Sequence, residues 1–233
     1  MKTERYLQGL NVLTAVLMIA ATAMVFLYAP REATMGDVQR IFYFHVPSAW
    51  VAGLAYLATL IAGIAYLRTN DRKWDRLALC SVEIGVVFTL MNLASGALWA
   101  CHIWNDCWPW GEPRITTATI TWLVYVAYLM LRAGIENPER RARYAAVYGI
   151  VGFVSVPITY FSIVLTRSIH PVVFGPNNPA AKGSAPLTPR MLQTFFFCLF
   201  TFTVVYVTLL WNRLRVEQLT ERVEQLKAKF LSA

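Results

Sequence analysis

Six long apolar runs constrain this chain more than any other feature. They cover roughly 10–29, 46–67, 77–99, 117–131, 144–166 and 191–211. At about 1.5 Å of helix rise per residue, runs of this size suit a hydrocarbon core about 30 Å thick. Only 15% of the 233 residues are charged and 57% are hydrophobic; soluble domains carry about 25% charged residues. The first run resembles a signal peptide, but it is too long for one and lacks a clear small-x-small cleavage site, so it reads as a helix. The expected fold is all-α: a single polytopic bundle of six transmembrane helices over residues 1–211, followed by a helical tail over 212–233.

The net charge is +8, yet the basic residues do not read as a nucleic-acid surface. They gather in the short links between apolar runs. Lys2 and Arg5, Arg68 to Arg76, Arg132 to Arg143, and the five from Arg213 to Lys229 fall on one side of the expected membrane. Arg31, Arg40, Arg114, Arg167, Lys182 and Arg190 fall on the other. The richer side faces the cytoplasm by the positive-inside rule. Both termini are therefore expected inside, and the links after the third and fifth runs outside.

The link after the third run, about 98–116, is unusual. It holds Trp99, Trp104, Trp108 and Trp110, four of eight tryptophans, with Cys101, His102, Cys107, Glu112 and Arg114. One interfacial Trp is ordinary anchoring; four so close together offer flat aromatic faces to a large, flat, mostly apolar ligand. Cys101 and Cys107 could form a disulfide if the loop faces an oxidising compartment. Cys80 and Cys198 lie inside apolar runs and read as core residues.

Two histidines reach the same expected depth. His45 stands at the outer start of the second run and His170 at the outer end of the fifth, with Pro47 and Pro171 close behind them. Proline disfavours the α conformation before it, so each His is expected at a helix boundary. A lone interfacial His is usually structural. Two at one level, from different helices and beside an aromatic platform, can ligate one haem iron from opposite faces. Trp99, Trp104, Trp108 and Trp110 would pack on the porphyrin. Arg40, Arg114 and Arg167 are the cations available for its propionates. His102 reads as a wet loop residue. Glu83 lies about two turns into the third run, where a carboxylate needs a partner; Asn92 is too far along the helix, so the partner is expected elsewhere. Ser155, Thr159, Ser162 and Thr166 form a polar stripe around Pro157 that should face the bundle.

The link at about 171–189 has five prolines and two glycines and reads as a loop. Past Trp211, the residues Val216, Leu219, Val223, Leu226 and Phe230 step 3, 4, 3, 4, an a/d seam of about two heptads. The expectation is that the sixth helix simply runs on, with this stripe packed on a neighbour. The alternative is a coiled-coil contact with a partner.

RIFYFHVPSAW, VEIGVVFTLMNLASGALW, the Trp-rich loop ending in EPRIT, and SIH together resemble the "WWD" membrane proteins of cytochrome c maturation, in particular the family of the C component, haem exporter protein C. The likeness runs from about Arg40 to His170. It departs from the usual motif where Glu112 replaces an aspartate, Gly111 adds a residue and Pro109 separates two tryptophans; Cys101, His102 and Cys107 are also untypical. The resemblance implies that His45 and His170 are axial ligands of transiently bound haem b. It implies a non-enzymatic carrier in the bacterial inner membrane, passing haem to a periplasmic haem chaperone, the E component. Its implied partners are an ABC-type ATPase with its membrane subunits and a small membrane subunit, the D component. The chain has no phosphate-binding GxxxxGK[ST] loop of its own.

Two other functions compete. A single-haem b-type cytochrome would move electrons, but transmembrane transfer normally needs haems at two depths, and no His is expected on the inner side. A secondary transporter should show inverted repeats and paired broken helices, and no repeat is evident.

Overall fold

The computed structural model describes residues 2–166, 168–171 and 187–231, with side chains from Glu4 onward. Seven α-helices appear: α1 (Lys2–Ala23), α2 (Phe42–Thr69), α3 (Arg72–Ile103), α4 (Pro113–Ala133), α5 (Pro138–Gly152), α6 (Ser155–Leu165) and α7 (Pro189–Leu231). A π-helical turn, Met24–Tyr28, extends α1, and a 3-10 turn, Asp37–Ile41, leads into α2. No β-strand occurs among the described residues. Hydrocarbon leaves backbone N–H and C=O groups no solvent partner, so a chain this apolar satisfies them within helices. Six helical stretches are long and apolar enough to cross a membrane: Glu4–Tyr28, Asp37–Thr69, Arg72–Ile103, Pro113–Ala133, Pro138–Leu165 and Pro189–Leu231. The chain is a multi-pass helical bundle.

The helix starts follow local chemistry. Asp71, Glu112 and Asn137 cap α3, α4 and α5, each accepting a backbone N–H from the first turn. Pro113 and Pro138 occupy the first helical positions, where a missing N–H costs nothing. Asn70, left-handed at φ 52°, ends α2.

The core lies between α2, α3, α4 and α7. The Tyr56 and Tyr125 rings stack face to face, 3.6 Å apart and 6° from parallel. The Tyr56 hydroxyl bonds Thr89 at 2.8 Å. The ring lies flat on α3 only because residue 85 is glycine: a Cβ there would stand 2.6 Å from Tyr56 Cε1. A second cluster joins Ala21, Val25, Tyr43, Phe195 and Cys198 across α1, α2 and α7. Both Cys80 and Cys198 are buried and unpaired as expected. At the end away from the Trp-rich loop, the Arg132 guanidinium grips the Asp75 carboxylate with both Nη atoms, the longer bond being 3.1 Å. Arg132 is thus a buried structural cation and not a free topological charge. Glu83 finds its partner in Arg213 of α7, at 2.6 Å.

Three expectations need correction. The fifth run is two helices, α5 and α6. Pro157 has no N–H for the Phe153 carbonyl, which Val156 takes instead at 3.0 Å, and the chain turns at 153–154. His45 is not at a helix boundary but inside α2, which passes through Pro47. Pro47 sits near the start of α2, where the preceding 3-10 turn already sets the helical course, and Ser48 Oγ satisfies the nearby Phe44 carbonyl at 2.7 Å. The tail does continue α7 as one helix to Leu231, but its apolar stripe packs on nothing among the described residues: its five seam residues are between 48% and 81% exposed.

Candidate functional site

The site forms where α2, α3 and α4 meet the segment that follows α6. His45 reaches across to α3. Ser95 Oγ donates to the carbonyls of Met91 and Asn92, at 2.7 and 3.1 Å. Its remaining capacity toward the His45 Nδ1, 3.0 Å away, is to accept. With the proton on Nδ1, the Nε2 lone pair faces the Asn92 amide nitrogen, 3.3 Å away. Asn92 Nδ2 donates to the His45 carbonyl at 3.0 Å and also borders the ring. The imidazole lies close on α3 because residue 96 is glycine; a Cβ there would stand 3.0 Å from His45 Cε1.

His170 is held from the other side. The Glu112 carboxylate of the Trp-rich loop accepts from Ser168 Oγ and from the Ile169 N–H, the latter at 3.0 Å. Ser168 Oγ in turn accepts the His170 N–H at 3.1 Å. The His170 Nδ1–H donates to the Pro171 carbonyl at 2.9 Å, freeing Nε2. Burial, then the Arg114 charge and His45, push the His170 imidazolium down to about 3, so the ring is neutral at ordinary pH.

The two rings stand 6.4 Å apart, centre to centre, and 33° from parallel. Two imidazoles that share one metal ion stand about 6 Å apart, with metal–nitrogen distances of about 2 Å on each side. The separation of the pair is one at which two imidazoles can share a metal ion, and each ring has a hydrogen-bond partner within reach of Nδ1. Among the described residues no group of three or more His, Cys, Asp or Glu forms an alternative metal cluster.

Aromatic and cationic groups surround the pair. Trp104 packs edge-on to His170 at 6.3 Å and to Trp99 at 5.1 Å. Trp108 meets Trp110 at 5.7 Å. The indole N–H groups of Trp104 and Trp108 are buried with no acceptor among the described residues. Arg114 lies beside both histidines and donates to the Thr159 carbonyl at 2.7 Å. The α6 polar stripe faces α4: Thr159 bonds Thr121 at 2.9 Å, and Ser162 is buried opposite Thr117. Cys101 and Cys107 are joined in a disulfide that closes the loop around Trp104.

The expected site residues divide into groups. His45, His170, Trp99, Trp104 and Arg114 come together. Trp108 and Trp110 form a second aromatic pair, with Trp110 at 65% the more exposed. Glu112 is 4% exposed and spent on protein bonds that hold the His170 segment. Arg40 lies over the Phe26 ring at 5.3 Å and near Asp37, with its Nε buried and unpaired. Arg167, and most of the 171–189 link, lie outside the described residues. His102 is exposed and bonds the Leu98 carbonyl, at 2.8 Å. Sequence reasoning missed the supporting shell of Asn92, Ser95, Gly96 and Ser168. The first three stand in the NLASGALW stretch beside the histidine-bearing helix, but nothing in their types announces contact with His45.

Comparison with known proteins identifies a family. The Heme exporter protein C family matches residues 1–229. Heme exporter protein C of Bradyrhizobium diazoefficiens is 30% identical over 97% of this chain and 83% of its own. That of Haemophilus influenzae is 28% identical over 94% and 87%. A ccmC-like mitochondrial protein of Marchantia polymorpha, which carries a cytochrome c biosynthesis name, is 30% identical over 61% and 59%. With a family match over almost its whole length and a relative 30% identical across most of both chains, the chain belongs to the Heme exporter protein C family.

Proposed function

We propose that this chain is a haem-handling protein of cytochrome c maturation. It binds haem b transiently between His45 and His170, near the outer face of a bacterial inner membrane, and delivers it to a periplasmic haem chaperone. The observation that carries this reading is the imidazole pair, 6.4 Å apart, each ring fixed by a bond at Nδ1. When bound, haem would supply an iron that accepts two neutral nitrogen donors and propionates that seek cations. The chain's own residues do the rest. Ser95 and the Pro171 carbonyl set the two tautomers. Gly96 lets one ring lie close, and the Glu112–Ser168 relay holds the other. Trp99 and Trp104 offer apolar faces, and Arg114 offers charge beside the iron site, with Arg40 and Arg167 as further cations. Trp108, Trp110 and the exposed rim of the loop are where a chaperone would approach.

On this reading the chain is a carrier and not an enzyme. Release would draw on an ABC-type ATPase with its membrane subunits, and a small membrane subunit, the D component, would pack beside the helices. Electron transfer through a lone b-type haem is served less well, because all three histidines lie at the end of the bundle that carries the Trp-rich loop.

The test is an absorption spectrum of the purified protein with haem. The parent should show a bis-histidine haem band that falls sharply in His45→Ala and in His170→Ala. Unchanged bands in both variants would overturn the ligand assignment. Normal c-type cytochromes in a strain lacking the protein would overturn the maturation role.

A further inference from the structure

The exposed tail of α7 raises a separate question. α7 runs 43 residues from Pro189 to Leu231 without a break, about 65 Å at 1.5 Å per residue. That is about twice a hydrocarbon core, so its last turns leave the bilayer. After Pro189 the helix contains neither Gly nor Pro to bend it onto the membrane plane. Ion pairs tie one side of this extension to the bundle: Arg213 to Glu83, and Arg76 to Glu221 at 2.9 Å. The seam of Val216, Leu219, Val223, Leu226 and Phe230 faces away from these ties and stays open to solvent.

The charges along the seam are sorted. Arg215, Arg222, Lys227 and Lys229 flank it, with Thr220 the only neutral flank. Glu217, Glu221 and Glu224 fall on the opposite face. Glu217 and Glu221 are already paired with Arg213 and Arg76; Glu224 meets Lys227, and Glu4 of α1 meets Arg215, in exposed pairs that are easily exchanged. In a coiled coil the flanking positions choose the partner. A second copy of this chain would set Arg222 against Lys227 or against Arg222, like against like in either direction. An acidic-flanked helix would meet opposite charge at Arg222 and, in exchange for Glu4 and Glu224, at Arg215 and Lys227. Two heptads are marginal as free peptides because nucleation is costly. Here the membrane helix has already supplied the nucleus, so the seam is preformed, and a partner in the same membrane gains effective concentration.

We propose that the α7 tail, 215–230, is a docking seam for an amphipathic helix of a separate protein that carries Asp or Glu beside its own apolar stripe. The seam lies at the end of the bundle away from the histidine pair, so it is independent of the ligand bound there.

The full chain in zwitterionic nanodiscs can be titrated with two fluorescent three-heptad peptides of identical Leu/Val seam, one flanked by Glu and one by Lys. The Glu-flanked peptide should bind at least tenfold more tightly. Val223→Asp with Leu226→Asp should cost at least tenfold, and Arg222→Glu with Lys227→Glu should reverse the preference. These positions are exposed, so folding is not at issue, and circular dichroism checks it. Equal affinity for the two peptides, binding that survives the seam variant, or no binding overturns the proposal. So does tail-to-tail cross-linking of Val223→Cys copies without peptide, or shielding of the tail by anionic nanodiscs alone.

Discussion

Replacing Glu112 by Ala should weaken haem binding without touching haem. Glu112 is 4% exposed, and its carboxylate accepts from Ser168 Oγ, the Ile169 N–H and, as the cap of α4, the Arg114 N–H. Removing it leaves the Ser168 and Ile169 donors facing a methyl group. Stranding a buried donor costs about 1–3 kcal/mol, and losing a cap about 1 kcal/mol. These contributions overlap, so a total of about 3 kcal/mol is expected. That cost falls on the segment carrying His170, whose own N–H bonds Ser168 Oγ. At about 1.4 kcal/mol per decade, the apparent haem Kd should rise by roughly a hundredfold. Glu112→Gln keeps an acceptor of the same reach and should cost less than about tenfold. The assay is a haem titration in nanodiscs followed by the bis-histidine absorption band. It is paired with hydrogen exchange at the Ile169 and His170 amides, which should lose protection while helix amides keep theirs. If Glu112→Ala titrates like the parent and both amides stay protected, the relay from Glu112 to His170 is refuted.

Other perturbations test other parts. Gly96→Ala puts a methyl 3.0 Å from His45 Cε1, so it should lower haem affinity and shift the absorption band, whereas Gly111→Ala, with open space around it, should do neither. Asp75→Asn should lower stability by about 3–5 kcal/mol, because it leaves Arg132 buried without its counter-charge; thermal unfolding of Asp75→Leu with Arg132→Met should recover most of that loss. Reducing the Cys101–Cys107 bridge, or replacing both residues with Ser, frees a loop of sequence separation 6. Loop closure of that size is worth about 2 kcal/mol; Trp fluorescence and haem titration should both report a looser Trp104, and an unchanged haem Kd would mean that the bridge does not position it.

The sequence by itself determined the class of molecule. Hydrocarbon permits few backbone solutions, so runs of apolar residues dictate membrane helices with little help from packing. Residue type and interfacial depth also marked His45, His170, Trp99, Trp104 and Arg114, since imidazole, indole and guanidinium at one level have few joint uses. That Arg213 would be the partner of Glu83 was not legible, only that Glu83 needed one.

Tertiary structure decided what each side chain does there. Glu112 looked like part of a ligand motif and turned out to bond the chain that carries His170. Asn92, Ser95 and Gly96 lie some fifty residues from His45 and gain meaning only once α3 packs on α2. The break at 153–154 depended on where the Phe153 carbonyl could find a donor beside Pro157. The tail stripe read as a packed face, because periodicity reveals that a helix is amphipathic but not what covers it. Local pattern fixes which elements form; which hydrogen-bond partner a buried group meets is a property of chain segments far apart, and only the packed bundle brings them within 3 Å.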